Sequence, residues 1–70
     1  MDSLDAAQLS SLAAGIEDLA DRSASLADGL DGGSTSDTAN ALYEAERSLR
    51  MAVRAVERGQ RSFGTGGEPD

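Results

Sequence analysis

The sequence predicts an all-α fold: an antiparallel two-helix hairpin, coiled-coil-like, completed to a four-helix bundle by dimerisation or by a partner's helices. Three observations predict it. Leu9, Leu12, Ile16, Leu19, Ser23, Leu26 and Leu30 follow one another at alternating spacings of three and four, which is a heptad seam. Leu42, Leu49, Val56 and Phe63 recur at intervals of seven. Between the two patterns lies Asp31-Gly32-Gly33-Ser34-Thr35-Ser36, whose Gly and Ser content marks a turn.

The first helix is expected over about residues 3–30. With Leu9 as position a, Ala6, Ala13, Ala20 and Ala27 fall at the flanking e position, and Ser23 is the one interruption of the seam. Asp2 or Ser3 can cap its start, and Asp31-Gly32-Gly33 offers the left-handed residue that a helix C-terminus prefers. Gly15 and Gly29 lie inside the helix. Each costs about 1 kcal/mol relative to Ala, so this helix needs a packing partner.

Residues 31–36 form the expected turn, with Ser34 and Asp37 in capping-box spacing and Ser36 a rival cap. The second helix is expected over about 37–62. Its large residues alternate with Ala45, Ala52 and Gly59, while Val53 and Ala55 widen the seam on either side. Residues 1–63 thus form one helical hairpin. Residues 64–70, Gly-Thr-Gly-Gly-Glu-Pro-Asp, are expected to be a disordered tail. Helices of this length are roughly 40 Å long at 1.5 Å per residue, and a short turn folds them back on each other. Two such narrow stripes half cover one another, which is why a bundle of four is expected.

Composition narrows the function. Leu, Ile, Val and Phe account for only twelve of 70 residues, too few for a conventional globule. Twelve alanines beside eight leucines favour thin helices instead. Neither Cys nor His occurs, so disulfides, thiolate nucleophiles, the usual zinc ligand sets and imidazole acid–base chemistry are excluded. The carboxylates of the first helix, Glu17, Asp18, Asp21 and Asp28, fall on positions expected to face water, without the mirrored carboxylates of a hard-cation site. Gly32-Gly33-Ser34 lacks the Lys-Ser/Thr ending of a phosphate-binding loop. No catalytic residues, metal or cofactor are therefore expected, and the chain is read as a non-enzyme. No apolar run is long enough for membrane insertion. Met1-Asp2-Ser3-Leu4-Asp5 is acidic where a secretory signal is basic, so a cytoplasmic protein is expected. All six basic residues are Arg, a bias shared with high-GC bacterial proteomes.

Charge is unevenly distributed. The net charge is −7, with eight acids against one Arg in residues 1–40 and five Arg against three Glu in residues 41–63. Arg47, Arg50, Arg54, Arg58 and Arg61 are expected to form a stripe opposite the Leu seam, with Tyr43 and Met51 on the same side. Glu46–Arg50, Glu57–Arg61 and Glu44–Arg47 are spaced for local ion pairs, whereas Arg58 has no local counter-charge. An overall acidic chain disfavours nucleic acid. Tyr43, Arg47, Arg50, Met51, Arg54 and Arg58 are therefore the expected contact surface for a protein partner with acidic groups. Leu9, Leu12, Ile16, Leu19, Leu26, Leu30, Leu42, Leu49 and Val56 are the expected core and dimer seam.

These readings describe a small helical adaptor or assembly protein acting through protein–protein contacts, most simply as a homodimer. The alternative is a regulator, anti-sigma-like or nucleotide-sensing, that sequesters a transcription factor. The cyclic-dinucleotide-responsive anti-sigma hairpins carry Glu-X3-Ser-X2-Arg-X3-Gln. The present chain matches that pattern at Glu44 and Ser48 and departs from it at Met51 and Ala55, so no family is assigned.

Overall fold

The computed structural model describes residues 3–65. Helix α1 spans Ser3–Leu30, a single 3-10 turn spans Gly33–Thr35, and helix α2 spans Ser36–Thr65. The helices pack side by side as a hairpin, a slab of 56 × 22 × 10 Å. Helix α2 starts one residue earlier than expected and continues past residue 62 to Thr65. The remainder of the expected tail lies outside the described residues.

The register of the seam departs from the expected one. In α1 the residues turned toward α2 are Ala6, Leu9, Ala13, Ile16, Ala20, Ser23, Ala27 and Leu30, with Ala20 and Ala27 completely buried. In α2 they are Ala39, Leu42, Glu46, Leu49, Val53, Val56, Gln60 and Phe63, with Ala39 and Val53 the most deeply buried. Both rows keep the three–four rhythm. The alanines expected at the edge of the stripe thus occupy its centre, and Leu12, Leu19 and Leu26, expected in the core and dimer seam, lie about half exposed on the flank of the single hairpin.

Packing explains the rotation. An Ala row lets two helix backbones approach closely, and close approach brings more atoms of the flanking Leu9, Ile16 and Leu49 into contact than a Leu-on-Leu seam does. A two-helix seam is also open on both sides. Long polar residues such as Glu46 and Gln60 therefore stand half-buried at seam positions, Glu46 with its carboxylate turned to Arg50 on the flank. Ser23 satisfies its hydroxyl within α1, donating to the Leu19 carbonyl at 2.8 Å. No large side chain is fully buried among the described residues, so the core of this hairpin is thin.

The turn is built on backbone conformations that only glycine adopts easily. Gly32 sits at φ 113°, ψ 152° and Gly33 at φ 60°. The end of α1 is also tied by Thr35, a residue that the expected C-terminal signal Asp31-Gly32-Gly33 does not include. Its hydroxyl donates to the Leu30 carbonyl, which the end of α1 leaves without a helical partner, and at 3.0 Å to the turn carbonyl of Gly32. Gly32→Ala is expected to destabilise the hairpin by about 1–3 kcal/mol. A Cβ there meets no atom within 4 Å, so the whole effect is backbone strain. Thermal unfolding followed by circular dichroism checks it, with a lowered midpoint and unchanged helicity at low temperature as the result.

Candidate protein interaction surfaces

A helix pair of this kind has two broad flanks, and the residues one and three positions after each seam residue decide their chemistry. On α2, one position after Leu42, Leu49 and Val56 come Tyr43, Arg50 and Glu57; three positions after them come Ala45, Ala52 and Gly59. One flank is therefore polar and the other made of small residues.

The polar flank ties the helices together. Tyr43 donates its hydroxyl to Asp28 Oδ1 at 2.5 Å. Arg50 reaches across from α2, its Nη2 donating to Asp21 Oδ1 at 3.0 Å while its Nε donates to Glu46 Oε2 at 2.9 Å. The hydrogen bond to Asp28 pushes the Tyr43 pKa up to about 12, helped by partial desolvation and by the carboxylates of Asp28, Asp31 and Glu46, which disfavour a phenolate. Arg50 is held in its charged form by the hydrogen bonds to Asp21 and Glu46, against a small desolvation effect.

These contacts divide the six residues expected to form one partner surface. Tyr43 and Arg50 are engaged within the hairpin, whereas Arg47, Met51, Arg54 and Arg58 face outward. Arg47, Arg54 and Arg58 form no ion pair among the described residues. Of the local pairs anticipated, Glu46–Arg50 forms at 2.9 Å. Arg47, Met51 and Arg54, together with Glu46 and Arg50, line a shallow open groove of about 350 Å³. A smaller recess of about 140 Å³ lies between the helices, lined by Glu17, Arg50, Val53, Arg54 and Glu57. Arg54 stands at both.

Asp21 and Asp28 were expected to be solvated carboxylates and are instead the acceptors on α1. A signal for them was present: the pairs Asp28–Tyr43 and Asp21–Arg50 share one midpoint, between Thr35 and Ser36, so a chain folded back there aligns both. Asp18 makes a looser pair with Arg22 at 3.7 Å, which is highly exposed and contributes little.

Of the expected seam residues, Leu9, Ile16, Leu30, Leu42, Leu49 and Val56 are partly buried between the helices. Leu12, Leu19 and Leu26 are 52%, 47% and 55% exposed on the opposite flank from Arg50. Among the described residues no cluster of three or more potential metal-ligating side chains occurs, and no helix is long and apolar enough to cross a membrane. No family model matches this chain, and no match was found among curated proteins or among solved structures.

Proposed function

We propose that this chain is a small non-enzymatic adaptor or assembly protein that works through protein–protein contacts of its helices within a four-helix bundle. The observation that carries the reading is the chemical difference between the two flanks of one thin hairpin. One flank offers outward Arg47, Met51, Arg54 and Arg58, of which Met51 is 66% exposed. The other leaves a row of leucines half uncovered. Guanidinium groups beside a flexible thioether are the residue types enriched where helices meet partners. Exposed leucines in a row mark surfaces that are covered in the working assembly.

The arginine surface is suited to a partner that presents carboxylates around an apolar patch. Tyr43 and Arg50 support it from behind by fixing the position of α2 against α1. Arg54→Glu combined with Arg58→Glu is expected to weaken capture of partner proteins from the source lysate at least tenfold, while helicity and oligomeric mass stay unchanged. Capture by the unaltered chain is expected to fall as salt rises from low to physiological strength, because exposed charges are screened over about 10 Å. Retention of the same proteins by the double variant would mean that the arginines are only a solvated face.

A further inference from the structure

The flank away from Arg50 is nearly free of charge along its length. Helix α1 brings Leu12, Leu19 and Leu26 to it at intervals of seven, each about half exposed. Helix α2 brings Ala45, Ala52 and Gly59 at the same interval, and a Cβ added at Gly59 meets nothing within 4 Å. A groove of about 370 Å³ runs along this flank, lined by Leu19, Arg22, Ser23, Leu26 and Leu42. Beyond the small residues, Ala41, Ser48, Ala55 and Ser62 continue the surface without a charge. Two ionic groups of opposite sign reach it: Asp5 near the open end, and Arg22, which lines the groove between Leu19 and Leu26 and pairs with Asp18 at 3.7 Å.

We propose that this flank is the seat of a second copy of the chain, related by a two-fold axis parallel to the helices, so that the leucine row of each copy lies over the Ala45–Ala52–Gly59 row of the other. The proposal deepens the adaptor reading and rests on it for the role of the outward faces.

Three features select this occupant. First, the surface is complementary to itself, a ridge on α1 and a shallow trough on α2, as an isologous contact requires. Second, volumes match only in this arrangement. Turning the axis perpendicular to the helices sets leucine against leucine and alanine against alanine, overfilling one half of the core and leaving the other empty. With the axis parallel to the helices, the new antiparallel neighbour of α1 is α2 of the second copy, and ridge meets trough along the whole length. Third, the area suffices. A slab of 56 × 22 Å offers on the order of 1,000 Å² on one flank, against roughly 800 Å² per partner in a standard stable interface. Charge is consistent with the choice, because a chain of net charge −7 brings its copies together through the one flank that carries almost none of it.

The arrangement has a functional consequence. Both arginine surfaces finish on the outside of the bundle, pointing in opposite directions. The dimer is then divalent and can bridge two acidic partners.

The test uses the isolated full chain. Light scattering coupled to size exclusion at tens of micromolar should return twice the chain mass of 7.2 kDa, and Leu19→Glu with Leu26→Glu should return a single chain mass with helicity retained. The chain has no cysteine, so single engineered thiols report one contact each. A mixture of Leu19→Cys and Ala52→Cys chains should oxidise to the heterodisulfide. A single-chain mass for the unaltered protein overturns the proposal, as does a double mass that survives both Glu substitutions. Disulfides of Leu19→Cys with itself, in place of the heterodisulfide, overturn it too, because the parallel axis leaves those thiols on diagonal helices. If the charged variant loses helicity, the thiol mixture decides. None of these readouts involves Arg54 or Arg58, so failure here is distinct from failure of the adaptor reading, which the capture experiment measures.

Discussion

Replacing Ala20 by Asp is expected to erase the cooperative helical transition of this protein. Ala20 lies midway along α1, fully buried against α2, where the closeness of the two backbones depends on the smallness of the side chain. Asp is larger, so the helices must part. It is also too short to carry its carboxylate out to water, which leaves a charge with little solvation in the seam. Together these cost on the order of 4 kcal/mol or more, while a core this small rarely supplies more than about 3–5 kcal/mol of net stability. Circular dichroism should show the loss of the folded baseline. Ala14→Asp is the control, because Ala14 is exposed on the same helix and the substitution there loses only helix propensity, about 0.7 kcal/mol or less. If Ala20→Asp melts like the Ala14 variant, the alanine row is not the seam.

The second large effect is alkaline. Tyr43 is the only tyrosine in the chain, and its hydroxyl proton is held between the helices by Asp28, with a pKa of about 12 against an ordinary value of 10.0. The group's pKa is raised on folding, so the folded state retains the proton where the unfolded chain has released it. The stabilisation is complete below pH 10 and is lost as the pH rises from 10 toward about 12. Tyrosinate absorbance should titrate about two pH units above that of the unfolded chain, and the thermal midpoint should decline across the same window. Tyr43→Phe should remove that component of the decline, and Asp28→Asn should bring the titration back toward its ordinary range. A phenol that titrates at its ordinary value in the native protein would show that the contact with Asp28 does not hold in solution.

Much of this fold could be read without coordinates. The two helices, the glycine turn and the antiparallel pairing follow from the heptad spacing of Leu9 to Leu30, the sevenfold recurrence of Leu42, Leu49, Val56 and Phe63, and the Gly32-Gly33 pair between them. These are local signals, set by helix periodicity and by the conformations open to glycine. The candidate surface was legible in part. Arg58 stands out in the sequence because it has no counter-charge within a helical turn, and it faces outward together with Arg54. Arg50 and Tyr43 were grouped with them because a single-helix projection shows which residues share a face, not what lies across from them. Their partners, Asp21 and Asp28, are distant along the chain.

Residue periodicity is enough to specify two amphipathic helices joined by a tight turn, and residue type alone divides the charge between an acidic first half and an arginine-rich second helix. The register of the seam is settled by how the two helices pack. Leu9, Ile16 and Leu30 belong equally to a row completed by Leu12, Leu19 and Leu26 and to one completed by Ala6, Ala13, Ala20 and Ala27, and the two rows differ by a modest rotation about the helix axis. Periodicity scores them alike, because both repeat at three and four. What separates them is how near α2 can come and which side chains it sets opposite. Packing energy is a property of facing surfaces, so Ala20 and Ala27 become the centre of the α1 seam and Leu12, Leu19 and Leu26 are left on its flank.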